Sequence, residues 1–327
     1  MFRNESEFVR WLRGLVAKDA GRLKLGIGDD AALVEVARDH QAILTTDLSI
    51  EGVHFLPRLH PPRAVGHRAL ARALSDVAAM GGTPRFALVS LAISRRTSRA
   101  WVKEFYAGLL GLAARLGVTL IGGDTAVVKG GISADVIAVG EAPRGKALRR
   151  SGARPGDQIF VSGKLGLSAL GLRLLRSGRA GKAASEKEAL FAHLYPEPRC
   201  ALGRYLSERR LATACIDLSD GLSTDLAHLC EASGVGARVW ASRMPLPEMP
   251  GESGIINSLQ LALSGGEDYE LLFSVPRGKA ARIPRRHRGV RLHRIGEISR
   301  TKKLVLIQSD GRSVPLVPSG HDHFRNI

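Results

Sequence analysis

Residues 41–55 read QAILTTDLSIEGVHF. The run QAILTTD has the length and composition of a short buried strand that ends in polar residues. An acid at the end of an apolar strand then recurs down the chain. FALVSLAI, VTLIGGD (running into a glycine turn) and ISADVIAVGE read as further strands of the first half. Helical signals alternate with them. Asn4 and Glu7 form a capping pair ahead of Phe8, Leu12, Leu15 and Val16, which share one face. Pro61 and Pro62 open a helix through about Met80, which GGTP stops, and residues 98–116 are helical in period until Gly117.

Around GKALRRSGARPGD the chain turns polar, basic and rich in glycine and proline, which predicts a linker near residues 142–157. Beyond it come QIFVSG as a strand, helices to about residue 210, and TACIDLSDGL as strand and turn. A helix from about Leu222 to Ser233 leads to the strand-like GARVW, YELLFSV, VRLHRIGEI and KLVLI. The expectation is an α/β chain (α+β mixed sheets) in two domains, 1–141 and 142–327. Each would have antiparallel-capable sheets with helices on one face.

Composition narrows the function classes. Of 327 residues, 44% are hydrophobic and 24% charged, ordinary for a folded globular protein. No apolar run approaches membrane-span length, and the charged start does not read as a secretory signal, so the cytoplasm is expected. Cys200, Cys215 and Cys230 are too few and too dispersed for a disulfide scaffold or zinc cluster; Cys215 and Cys230 read as core. The net charge of +17 raises the question of a polyanionic partner. The densest basic run, residues 277–303, contains no aromatic residue for base stacking and no nucleic-acid motif. It reads as a solvated surface, so neither nucleic acid nor membrane is expected as a partner.

Against that basic background the acids stand in repeated contexts: GIGDDAA (Asp29, Asp30), TTDLSIEGVHF (Asp47), ALSDVAAMGG (Asp76), IGGDT (Asp124), IDLSDGLSTD (Asp217, Asp220) and SGGEDYEL (Glu267, Asp268). Singly, each serves equally as a turn former or helix cap. Brought together they repel unless cations neutralise them, and hard oxygen ligands suit Mg²⁺. Magnesium held by carboxylates with substrate phosphates is the usual arrangement for nucleotide phosphoryl transfer. GxxxxGK[ST] and the protein-kinase HRD and DFG motifs are missing, and the GxGxxA match at Gly26, Gly28 and Ala31 places aspartates where a pyrophosphate would sit.

The ordered set GIGDDAA, TTDLSIEGVHF, LSDVAAMGG, GGDT, RSGARPGD, IDLSDGL and SGGEDYELLF, with the SGHDHF tail, resembles the thiamine-monophosphate kinase family. That family lies within the superfamily of aminoimidazole-ribonucleotide synthetase and selenophosphate synthetase. The resemblance implies a two-domain aminoimidazole-ribonucleotide synthetase-like fold, homodimers paired through the N-terminal halves, and ATP-dependent conversion of thiamine monophosphate to thiamine diphosphate. It further implies Asp30, Thr45, Thr46, Asp47, Asp76, Asp124, Asp217 and Asp220 as ligands of several Mg²⁺ ions. ATP contacts would be Tyr106, Gly123, Asp124, Arg150 and Ser219; substrate contacts would be His54, Glu267 and His321. Relatives usually carry an aromatic residue at the position of His321, whose imidazole offers less stacking area.

A phosphate monoester is mostly dianionic at neutral pH, its second pKa being near ~6, so no dedicated general base is expected. Catalysis would be positioning and charge stabilisation. Two alternatives stay open: another ATP-using enzyme of the same superfamily, and a basic nucleic-acid-binding protein, which salt-steep affinity would reveal.

Overall fold

The computed structural model describes residues 5–16, 21–27, 31–178, 183–248 and 253–320. The chain divides into two compact units, Met1–Val77 with Gly82–Gly145, and Ala78–Gly81 with Lys146–Ile327. The main division thus falls after Gly145, a little beyond the expected 141, and a short piece of the N-terminal half belongs with the second unit.

The first unit contains α1 (Glu5–Leu15), β1 (Leu23–Leu25), β2 (Leu33–Val34), β3 (His40–Ile50), α2 (Pro62–Ala79), β4 (Thr83–Ser94), α3 (Arg99–Leu116), β5 (Thr119–Val128) and β6 (Ser133–Pro143). Strands β3, β6, β4 and β5 form a sheet in that order, parallel only between β4 and β5. Helix α3 has the ends its sequence calls for: the Ser98 hydroxyl accepts the Trp101 N–H at 3.1 Å, and Gly117 closes it in the left-handed region. Helix α2 is buried along nearly its whole length, with Ala64, Val65, Leu70, Leu74 and Val77 in the core. It crosses α3 at a glycine contact: a Cβ on Gly66 would lie 1.9 Å from the Phe105 carbonyl oxygen, and one on Gly108 1.8 Å from that of Arg63. Only glycine at both points lets the backbones come this close.

Two strands run further than the sequence suggests. TTD continues β3 to Ile50, because every residue from His40 to Ile50 pairs with β6. Nor is β3 buried throughout, since Leu44 is 69% exposed and Leu48 47%. Likewise Gly122, Gly123 and Asp124 lie inside β5, not in a turn. At Gly123, φ is 149° and a Cβ would meet the Val89 carbonyl oxygen at 2.0 Å, so the glycine lets β5 close on β4.

The second unit contains β7 (Gln158–Ser162), α4 (Leu167–Arg176), α5 (Ala184–Leu194), α6 (Cys200–Glu208), β8 (Ala214–Asp217), α7 (Leu222–Ser233), β9 (Gly236–Trp240), α8 (Ser253–Ser264), β10 (Leu271–Val275), β11 (Arg286–His287), β12 (Val290–Ser299), β13 (Leu304–Ile307) and β14 (Ser313–Pro315). The sheet runs β14-β13-β9-β12-β7-β10-β8, with β11 on β12, and its parallel pair is β13–β9. Strands β7, β8 and β10 are buried on both faces, which corrects the expectation of a one-sided sheet. Ile159, Val161, Ile216 and Leu272 join one core with α7, while Phe160 stacks on Phe273 at 5.6 Å. The three cysteines are buried and take part in no disulfide. Most of the basic run is exposed, and in the β11–β12 hairpin Arg286 lies opposite Arg291. Among the described residues no helix is long and apolar enough to cross a membrane.

Candidate active site

In the first unit, β3 presents Thr45 and Asp47 to one face, because strand residues two apart point the same way. Helix α2 supplies Arg72 and Asp76, one turn apart and so on one helix face. The Thr45 hydroxyl donates to Asp76 Oδ2 at 2.5 Å, and Arg72 Nη2 donates to Asp47 Oδ1 at 2.7 Å. Burial pushes the Asp47 carboxyl up to about 6; Arg72 opposes that rise, while Asp76 and Asp135 add to it. Thr45, Asp47 and Asp76 are therefore brought together.

Thr46 faces the other way and donates to Asp135 Oδ1 at 2.6 Å. Register carries that row across the sheet: Leu48 opposes Asp135, Asp135 opposes Ser90, and Ser90 opposes Asp124. Asp124 is exposed, with one carboxylate oxygen accepting the Thr125 N–H at 2.7 Å. The six acid and hydroxyl groups of β3, α2, β5 and β6 thus form two sets on opposite faces of one sheet.

Beside them lies a cavity of about 680 Å³, lined by Phe8, Leu12, Ile27, Ala31, Tyr106, Ile121, Gly123 and Asp124, among others. It has the volume of a small-molecule site. Tyr106 forms part of its aromatic wall, with ring centroids 5.8 Å from Phe8, 5.7 Å from Trp11 and 5.3 Å from Phe105. Burial holds its hydroxyl protonated, well above the usual tyrosine range. His54 sits in the turn after β3, where its Nδ1 accepts the Ile50 N–H at 3.0 Å.

In the second unit the IDLSDGL and SGGED segments meet. Leu271 pairs with Asp217, the Glu267 N–H donates to the Ser219 carbonyl at 2.7 Å, and the Tyr269 N–H to Leu218 at 2.9 Å. Asp217, Ser219, Asp220 and Glu267 are therefore neighbours. Glu267 has φ 58°, and its carboxylate is 4.0 Å from His193 Nδ1. Asp225 accepts the N–H groups of Asp220 and Gly221, both at 3.1 Å. Burial, with Asp220 and Asp217 adding to it, pushes the Asp225 carboxyl up to about 8. Asp268 turns inward and caps α4, accepting from Gly166 at 2.6 Å and Ser168 at 3.0 Å. The Gly320 N–H docks on Thr224 at 2.9 Å, just before His321. Arg150 is exposed, its carbonyl held by the Ser233 hydroxyl at 3.1 Å.

Asp30 and His321 lie outside the described residues. The sequence reading passed over Arg72, Asp135 and Asp225. Asp135 carried a usable signal, a charge set into the apolar alternation of ISADVIAV. Among the described residues no three His, Cys, Asp or Glu side chains converge closely enough to hold a cation by themselves.

Both units match known families. Residues 28–142 fit the AIR synthase related protein N-terminal domain and residues 154–309 its C-terminal domain, which defines the class: an AIR synthase-related, two-domain chain. Thiamine-monophosphate kinase from Escherichia coli O157:H7 is 39% identical over 307 residues, 92% of each chain. The crystal structure of thiamine-monophosphate kinase from Stenotrophomonas maltophilia K279a has TM-score 0.82 at 36% identity, covering 94% of this chain and 96% of that one. AaThiL complexed with AMPPCP and TMP has TM-score 0.75 at 32% identity, covering 97% of both. The chain belongs to the thiamine-monophosphate kinase family.

Proposed function

We infer that this chain phosphorylates thiamine monophosphate with ATP, giving thiamine diphosphate and ADP by direct in-line transfer. The observation that carries the reading is the cavity holding Tyr106, Gly123 and Asp124 in the same unit as the Thr45–Asp76 and Asp47–Arg72 pairs. It has room for a nucleotide and polar strands alongside for its phosphates. The relative that binds AMPPCP and TMP supports both substrates.

We assign Mg²⁺ to the acids. The donors are carboxylates and hydroxyls, the hard oxygens Mg²⁺ takes, and an ion shared with phosphates needs only one or two carboxylates. Asp47 and Asp76 with Thr45 form one such group, and Asp217 and Asp220 a second, in the other unit; Thr46 and Asp124, on strands separated by β6 and β4, and Asp30 are assigned to magnesium singly, on the family resemblance. Bound magnesium would screen the repulsion between the two phosphate anions and neutralise charge on the transferring group. Tyr106 and Gly123 shape the nucleotide cavity, Arg150 and Ser219 are offered to its phosphates, and Glu267, His54 and His321 to the thiamine phosphate. His54 is assigned a binding role: its Nδ1 already accepts a backbone N–H, and the acceptor phosphate needs no base.

The outer face of the first sheet, where Leu44 and Leu48 are exposed beside Val139 and Ile137, supports a homodimer paired through these units. A cytoplasmic location fits an enzyme that consumes ATP. The deciding assay is incubation with Mg-ATP and thiamine monophosphate, with thiamine diphosphate and ADP measured as products. Asp47→Asn should keep the fold and lower turnover by roughly two or more orders of magnitude. Well-folded wild type that makes no product would refute the function, and a fully active Asp47→Asn would remove Asp47 from the site.

A further inference from the structure

The pairing of Arg72 with Asp47 places a permanent cation inside a group of acids. A guanidinium does not lose its proton in a protein, so this charge is fixed. It is also held: the Arg72 side chain is 13% exposed and that of Asp47 19%, and the contact is 2.7 Å from Nη2 to Oδ1. Position in the fold makes it more than a surface pair. Arg72 stands one turn before Asp76 on α2, and Asp47 stands two residues after Thr45 on β3. The Asp47–Arg72 contact therefore runs beside the Thr45–Asp76 hydrogen bond as the second rung of one helix–strand seam. Asp135 on β6, directed to the other face of the sheet, adds a further negative charge that acts on Asp47. The guanidinium thus already supplies charge that a divalent cation would supply at Asp47.

We propose that Arg72 is the resident counter-ion of this acid group and makes magnesium loading depend on nucleotide. The inference rests on the magnesium reading of Asp47 and Asp76 given above. Free Mg²⁺ approaching Asp47 meets a carboxylate already neutralised and a like charge beside it. A polyphosphate changes that balance, because its negative charge offsets the guanidinium and contributes oxygens of its own. The metal then enters with the nucleotide, and the protein alone holds it weakly. A polyphosphate brought to Asp47 with the metal would also meet this guanidinium, and arginine pairs well with phosphate.

The test is direct binding by isothermal titration of MgCl₂ into full-length protein at constant ionic strength, with and without the non-hydrolysable analogue AMPPCP. Wild type is compared with Arg72→Gln, which keeps a hydrogen-bond donor for Asp47 but no charge, and with Arg72→Lys, which keeps the charge. A charge within ~4–6 Å shifts an ionic equilibrium by roughly one to three powers of ten. Without analogue, Arg72→Gln should therefore bind Mg²⁺ at least about tenfold tighter than wild type, and Arg72→Lys like wild type. Mg²⁺ should also raise the melting temperature of Arg72→Gln more than that of wild type, a linkage that a purely structural arginine would not produce. Adding Asp47→Asn to Arg72→Gln should abolish the gain. If Arg72→Gln misfolds, Arg72→Met provides the same comparison. Equal or weaker nucleotide-free Mg²⁺ binding by the uncharged variant overturns the proposal, while magnesium binding by wild type with AMPPCP leaves the magnesium reading standing. Wild type that takes up no Mg²⁺ beyond that bound by AMPPCP alone overturns both.

Discussion

Helix α3 carries two glycines whose replacement by alanine should have opposite effects. Gly108 lies where α3 meets α2, and a Cβ there would be 1.8 Å from the Arg63 carbonyl oxygen and 2.7 Å from its carbon. Real Cβ contacts essentially never fall below 3.0 Å, so the backbones must part locally by about 1.2 Å. The obstacle is backbone, and α2 is packed on nearly all sides, so little can give way. Overpacking of this kind costs roughly 1–3 kcal/mol, of which alanine's better helix propensity returns about 0.5–1 kcal/mol. Gly111, three residues along, has nothing within 4 Å of its Cβ position, so Gly111→Ala keeps only the propensity gain. At roughly 2–4 °C per kcal/mol, Gly108→Ala should lower the melting temperature by several degrees and Gly111→Ala should raise it by about 1–4 °C. Calorimetry on the two variants decides the point. Because α2 also carries Arg72 and Asp76, Gly108→Ala should raise the KM for Mg-ATP as well. A Gly108→Ala protein as stable as Gly111→Ala would refute the close-crossing argument.

Two further expectations concern buried carboxylates of the second unit. Glu270, 6% exposed at its side chain, receives Arg199 through two contacts and the Ser162 hydroxyl. Glu270→Gln removes the carboxylate that pairs directly with Arg199, leaving only the weaker attraction of Glu197, and should destabilise by roughly 3–5 kcal/mol in urea unfolding; an unchanged midpoint would count against that pairing. Asp268 behaves differently, since burial pushes its carboxyl up from 3.8 to about 7. Between those values the folded protein keeps a proton that the unfolded chain has lost, so the stabilising contribution is full below pH 3.8 and is lost as pH rises through about 7. Asparagine cannot titrate but retains an acceptor for the α4 N–H groups. The stability of wild type relative to Asp268→Asn should therefore fall between pH 4 and pH 8, and a difference that stays flat with pH would exclude the shift.

Local signals made much of the fold legible. The Ser98 and Gly117 caps mark α3, the proline pair marks the start of α2, and α7 runs from Leu222 to Ser233 as its pattern indicates. What the pattern missed was long-range pairing. TTD and GGD look like strand ends because threonine, glycine and aspartate punctuate apolar runs, yet β6 and β4 extend the ladder through both. The one-sided reading of the second sheet failed for a related reason. An apolar run such as QIFVS does not state how many of its faces will be covered.

The same limit explains which site residues could be read. The acids of β3, β5 and α2 announce themselves by standing out from apolar surroundings in a basic chain. Arg72 does not, since one more arginine in RALARALSD carries no mark in a protein of net charge +17. Its significance appears only when α2 docks on β3 and the four-residue spacing to Asp76 meets the two-residue spacing from Thr45 to Asp47. Extended strands also bear on function, because a ladder fixes the spacing and direction of successive side chains more firmly than a loop does. Groups that hold phosphate and metal gain most from that rigidity, since positioning is the greater part of catalysis when the acceptor arrives already ionised. Lengthening β3 and β5 through their polar residues is therefore what turns a scatter of acids into two ordered rows.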